Sequence, residues 1–82
     1  MYFPMVFSLK IVTATVHDDI EGLIISVLQH NKVDESLLRL SSRLSRAGNY
    51  VSFTATFMAK SQEQLDNIYR ALSSNPKIIM VL

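Results

Sequence analysis

Eighty-two residues suffice for one domain, residues 1–82, and are too few for two domains that each bury a core. Apolar residues make up 49% of the chain, which fits a globular rather than a disordered domain, and the absence of cysteine excludes disulfides, thiolate metal sites and thiol nucleophiles. A formal net charge of +1 gives no overall argument for nucleic acid or an acidic membrane as partner.

The N-terminal stretch is apolar but short. It has no basic region before the apolar run, and Pro4, Ser8 and Lys10 interrupt it, which argues against a signal peptide. No run reaches the roughly 18 apolar residues that a spanning helix needs. A cytoplasmic protein without a membrane partner is the expectation, since a reducing compartment suits a chain without cysteine.

From Val6 to Val16 the chain alternates. Phe7, Leu9, Ile11 and Thr13 point one way, and Ser8, Lys10, Val12 and Ala14 the other, which predicts a strand. His17-Asp18-Asp19 then opens a helix, with either aspartate as its cap. Ile20, Leu23, Ile24, Val27 and Leu28 recur at the spacing of one apolar face, and Asn31 is the expected stop after His30.

Leu37–Ser45 and Tyr50–Ala59 read as the second and third strands. Gly48-Asn49 between them is a two-residue hairpin signal, because a primed turn needs positive φ. That turn predicts Leu44 opposite Phe53 and Leu40 opposite Phe57 on one side. Arg43 then faces Thr54, Ser45 faces Ser52 and Ala47 faces Tyr50 on the other. Ser61-Gln62-Glu63-Gln64 has the form of a capping box and begins a second helix, with Leu65, Ile68, Tyr69 and Leu72 as its apolar face. Ser73-Ser74-Asn75-Pro76 ends it, and Lys77–Leu82 reads as a last strand, apolar on both faces.

The order βαββαβ predicts an α+β, ferredoxin-like sandwich. Two right-handed crossovers place both helices on one face of a four-stranded antiparallel sheet, with the first and third strands central. The predicted core is Phe7, Leu9, Ile11, Leu23, Val27, Leu40, Leu44, Val51, Phe53, Phe57, Leu65, Ile68, Leu72, Ile79 and Val81. The last strand would then be an edge with two apolar faces, a pairing hazard that natural proteins cover. Ile78, Met80 and Leu82 are the expected contact residues, covered by a second copy in a homodimer or by the segment Met1–Met5.

Catalytic signals are weak. His17-Asp18-Asp19 are three consecutive residues, which rarely converge on one metal ion, and His30 has no serine or threonine nucleophile beside it in the pattern. Acylphosphatases share the predicted fold, but their phosphate-cradling loop carries an arginine, and Thr15–Asp19 here is acidic and lacks one. No cofactor or metal is expected.

RNA-recognition modules share the topology and carry a basic and aromatic motif on the third strand. Arg46–Phe53 matches it at Arg46, Tyr50, Val51 and Phe53, but Tyr50 is the one outward aromatic, a poor stacking platform. Between Ser36 and Gln62 there is no acidic residue, whereas Arg39, Arg43, Arg46 and Lys60 lie within that span. Arg43, Arg46, Asn49 and Tyr50 therefore form the candidate ligand or partner surface. Nucleic acid is the alternative to a protein or small-molecule partner.

Asp19–Val27 resembles the D-x-P-G-L-type sequence of ACT domains, with Glu21 in place of the proline. Gly22 in a first helical turn costs roughly 1 kcal/mol against alanine, so a close approach by a ligand or a strand is expected there, with Asp19 beside it.

Phe3-Pro4 with Phe7 and Lys10, His30, Ser45 with Gly48-Asn49-Tyr50, Glu63-Gln64 with Tyr69 and Leu72, and Met80-Val81-Leu82 together give a family pattern. The whole chain resembles the YbeD-like family of small bacterial proteins, with Arg46-Ala47 where Ser-Lys is expected. The resemblance implies an ACT-like fold and a regulatory or interaction role without catalysis. The family's lipoate-regulatory label rests on association, and these residues supply no lipoyl pocket.

Overall fold

The computed structural model describes residues 2–82. The chain runs β1 (Met5–Ala14), α1 (Ile20–His30), a 3-10 turn (Glu35–Leu37), β2 (Arg39–Leu44), β3 (Tyr50–Ala59), α2 (Gln62–Ser73) and β4 (Ile78–Val81). The strands form one antiparallel sheet in the order β2-β3-β1-β4, so β1 and β3 are central, as the crossover rules predict.

Alternation along β1 and β3 divides the sheet into two faces. Leu9, Ile11, Ala55, Phe57 and Ala59 turn toward the helices and are buried. They pack with Ile20, Ile24 and Leu28 of α1 and with Leu65, Ile68 and Leu72 of α2 in one core. Phe7, Leu23, Val27, Leu40 and Phe53 pack against it while half-buried. Tyr69, expected on the apolar face of α2, is instead 49% exposed at its margin.

Helix caps follow the sequence at one helix and depart from it at the other. Ser61 Oγ accepts the Gln64 N–H at 3.1 Å, the first half of a capping box. Gln64 Oε1 accepts the N–H of Lys60, one residue before the cap, at 2.7 Å, and its Nε2 donates to the Asn31 carbonyl at 2.9 Å. One glutamine thus ties the start of α2 to the end of α1. At α1, Asp19 occupies the cap position with φ 57 and makes no side-chain cap hydrogen bond, contrary to expectation. The helix stops at Asn31 as expected, with Asn31 as its C-cap, and Lys32 after it takes the left-handed conformation (φ 64). Before β2, Asp34 caps the 3-10 turn. The Ser36 hydroxyl and backbone N–H both donate to its carboxylate and hold its pKa below the ordinary value, the hydroxyl contributing more.

The β2–β3 hairpin differs from the predicted two-residue turn. Arg43 pairs with Ser52, Ser42 with Phe53 and Leu44 with Val51, a shift of two residues. The loop is Arg46–Asn49, closed by Ser45 N–H to Tyr50 carbonyl at 2.8 Å and Gly48 N–H to Ser45 carbonyl at 3.0 Å. Gly48 alone takes positive φ (+79), and a glycine tolerates it because it has no Cβ. A shift by an even number keeps every residue on its expected face. Leu44 faces the helix side, but neither helix reaches it, and it is 59% exposed rather than core.

A bulge changes β4. Val12 pairs with Met80 and Thr13 with Ile78, so Ile79 is the extra residue. Ile78 therefore turns inward and is 7% exposed, while Ile79 is pushed outward to 54%. This reverses the expectation for both: Ile78 belongs to the core rather than the contact edge, and Ile79 leaves the core. Among the described residues no backbone hydrogen bond joins the segment before β1 to β4, so that segment does not extend the sheet there.

Candidate functional site

The outer face of the sheet is built from the other half of each alternation. Arg43, Ser52, Val12 and Met80 stand in one row across the four strands, and Ser41, Thr54, Lys10 and Leu82 in the next. Lys10 and Leu82 exchange both backbone hydrogen bonds, at 3.0 and 2.8 Å. Arg39, Thr56 and Ser8 make a third row, in which the Ser8 and Thr56 hydroxyls hydrogen-bond at 2.8 Å. Short hydroxyl side chains fill the middle strand, so the surface is low there and rises at the cations on either side.

Charge is divided between the faces. All 7 acidic residues fall outside the four strands, on helices and connections. Lys10, Arg39 and Arg43 are on the outer sheet face and Arg46 is in the hairpin loop at its border, with no carboxylate among them. A small net charge thus hides a strongly polarised molecule.

The structure brings three of the four predicted hairpin residues together. Arg43, Arg46 and Tyr50 line one open cleft of about 500 Å³ with Lys10, Val12 and Ser52. Asn49 does not line it; its carbonyl accepts the Thr15 N–H at 3.0 Å. Thr15 Oγ1 also donates to the Gly48 carbonyl at 2.8 Å, and Ser45 Oγ accepts the Tyr50 N–H at 3.1 Å. The loop is therefore fastened to the end of β1, which holds Arg46 and Tyr50 at the rim. Lys10 was missing from the predicted set. Its outward position in the alternation of β1 was the available signal, but only the sheet order brings it to the same cleft.

Asp19 and Gly22 lie on the other face. A Cβ at residue 22 would stand 2.5 Å from Asp19 Oδ1, so the closest neighbour of Gly22 is the Asp19 carboxylate rather than a strand. Both residues border an open cleft of about 610 Å³ between α1 and the helix side of β2 and β3, with Glu21, Ser42 and Phe53 also at its wall. A third cleft, of about 350 Å³, joins His30 and Lys32 to Lys60 and Glu63 where the helices meet. There Lys60 Nζ donates to the Lys32 carbonyl at 3.0 Å, and Glu63 offsets the cations. Among the described residues no three His, Cys, Asp or Glu side chains come together as metal ligands, and no helix is long and apolar enough to cross a membrane.

Comparison with known proteins gives the family and the fold. Residues 1–82 match the family model described as "Protein of unknown function (DUF493)". A UPF0250 protein of Janthinobacterium sp. (strain Marseille) is 42% identical over 80 residues, covering 98% of this chain and 87% of that protein. The UPF0250 protein NMC1112 of Neisseria meningitidis serogroup C is 38% identical over 80 residues, at 98% and 87% coverage. Among solved structures, protein HP0495 from H. pylori superposes with a TM-score of 0.81 at 14% identity, over 100% of this chain and 85% of that one. The ACT domain from GTP pyrophosphokinase of Chlorobium tepidum superposes with a TM-score of 0.70 at 13% identity, over 95% of each chain. These likenesses carry the ACT-like, ferredoxin-like fold, and the sequence matches carry the family. The chain belongs to the DUF493 (UPF0250) family, the YbeD-like family whose pattern its sequence carries.

Proposed function

We propose that the protein is a non-enzymatic interaction module of regulatory type whose outer sheet face receives an acidic partner. One observation carries this reading: Lys10, Arg39, Arg43 and Arg46 border an open sheet face to whose strands no acidic side chain belongs. A field of one sign speeds the encounter with an opposite surface and rejects like-charged ones. The hydroxyls of Ser41, Ser52 and Thr54 on that face can donate to carboxylates. The ACT-like fold supports the reading at the level of architecture.

Self-association is a second reading, favoured by β4. Ile79, Met80 and Leu82 are 54%, 48% and 66% exposed along a sheet edge without charge. The two readings use opposite borders of the sheet and are compatible.

The test is fluorescence anisotropy with a labelled oligoglutamate peptide at two salt concentrations. Binding is expected at low salt, to weaken as salt rises, and to be lost in the Arg43→Glu, Arg46→Glu double variant. A labelled single-stranded oligoribonucleotide run in parallel addresses the alternative. Tight, steeply salt-dependent oligonucleotide binding that disappears in Tyr50→Ala, with no binding of oligoglutamate, would replace the acidic-protein reading with a nucleic-acid one.

A further inference from the structure

β2 is a border strand, and its outer edge is unpaired by any other strand of the sheet. Ser45 donates its N–H to the Tyr50 carbonyl, so the hydrogen-bonded pairs with β3 fall on Ser45, Arg43, Ser41 and Arg39 in alternation. The N–H and C=O groups of Leu40, Ser42 and Leu44 therefore point away from β3. Arg39–Leu44 contains no proline, no bulge and no inward-facing charge; of the usual guards of an edge it carries only outward charge, Arg39 and Arg43.

The two sides of this edge differ in chemistry. Arg39 and Arg43 stand on the outer side. On the helix side are half-buried Leu40, exposed Leu44 and the cleft whose wall includes Phe53, Asp19 and Glu21.

We infer that β2 accepts an added strand from a protein partner in which acidic residues alternate with apolar ones. This rests on the acidic-partner reading and adds the place and the pattern. Such a strand continues the ladder through the main chains of Leu40, Ser42 and Leu44. Its residues opposite Arg39, Ser41 and Arg43 occupy non-hydrogen-bonded positions, where facing Cα atoms approach to about 4.5 Å and side chains lie closest. Carboxylates there meet the arginines. The intervening residues face Leu40, Leu44 and the cleft, where Asp19 and Glu21 repel acids and apolar surface favours burial. A second copy of β2 fits badly, because both registers that pair its free-edge groups gather the arginines of two copies on one face: about Ser41, Arg39 stands opposite Arg43, and about Ser42, Arg43 stands opposite Ser41 with the other copy's arginines on its diagonals. A nucleic-acid strand has no peptide groups with which to extend the ladder.

The test is titration of the 15N-labelled full chain with the peptide Glu-Val-Glu-Val-Glu-Val-Glu, followed by amide shifts. The largest shifts are expected at Leu40, Ser42 and Leu44. Arg39→Glu and Arg43→Glu should each weaken binding by about fivefold or more. Ser42→Pro removes a free-edge N–H and no ladder bond, and should abolish binding, whereas Ser42→Ala should retain it. A probe N-methylated at the pairing positions blocks the same bonds from the other side, and should not bind even if Ser42→Pro unfolds the chain. If the N-methylated probe, or a folded Ser42→Pro variant, binds as tightly as the unmodified pair, edge pairing is overturned while the acidic-partner reading stands. If neither this peptide nor oligoglutamate binds, both are overturned.

Discussion

The two borders of the sheet are both short strands with one free edge, and they are built in opposite ways. β4 is apolar throughout, and two of its four residues, Ile78 and Val81, are buried beneath the helices. β2 has six residues, none fully buried, and carries two arginines on one side and a half-buried Leu40 and exposed Leu44 on the other. One border contributes fully buried core residues and the other contributes none. The difference comes from helix placement: α2 packs on β4, while the helix side of β2 keeps an open cleft beside α1. A sandwich with two helices over four strands leaves part of one face bare, and here that part adjoins the basic hairpin.

The largest expected effect breaks this comparison directly. Ile78→Ala should cost about 2–5 kcal/mol, because it removes a buried side chain from the core. Leu44→Ala, also on a border strand, should change stability by about 0.5 kcal/mol or less, since the side chain is mostly exposed. Thermal or denaturant unfolding of the two variants reads the difference, which is large beside a typical total of roughly 5–15 kcal/mol. Equal losses would mean that β2 is buried in solution, as it would be in a stable complex with another strand.

A smaller effect sharpens the account of the hairpin. Gly48→Ala should destabilise by about 1–2 kcal/mol, because a side chain at φ +79 is strained even though the space around it is open. Asn49→Ala should cost less, as its carbonyl rather than its side chain holds the loop to β1. Chemical denaturation of both variants checks the order, and a larger loss at Asn49 would restore the two-residue turn.

The comparison also shows what the sequence makes legible. Alternation in Phe7–Thr13 and in Tyr50–Ala59 names the buried face of each central strand, because period two is a property of the backbone itself. The hairpin pairs two residues away from the register that Gly48-Asn49 suggests, and Arg43 and Leu44 still take the expected sides, since an even slip preserves faces. At β4 the single extra residue of a bulge exchanged Ile78 and Ile79, and a run of five apolar residues contains no signal of where a bulge falls. Leu44 shows another limit: its pattern says which face it occupies, not how far a helix extends over that face. The candidate site was legible where it is local, at Arg43, Arg46 and Tyr50 on one hairpin. Lys10 lies more than thirty positions away in sequence and joins them only through the order of the strands.

The proposed working surface is the basic outer sheet face, whose strands carry no acidic side chain. Backbone amide shifts of the 15N-labelled protein titrated with oligoglutamate test it, because the molecule has a second cationic corner at Lys32 and Lys60. The account predicts shifts concentrated at Lys10, Arg43, Arg46, Tyr50 and Ser52. Shifts concentrated instead at His30, Lys32, Lys60 and the start of α2 would contradict it.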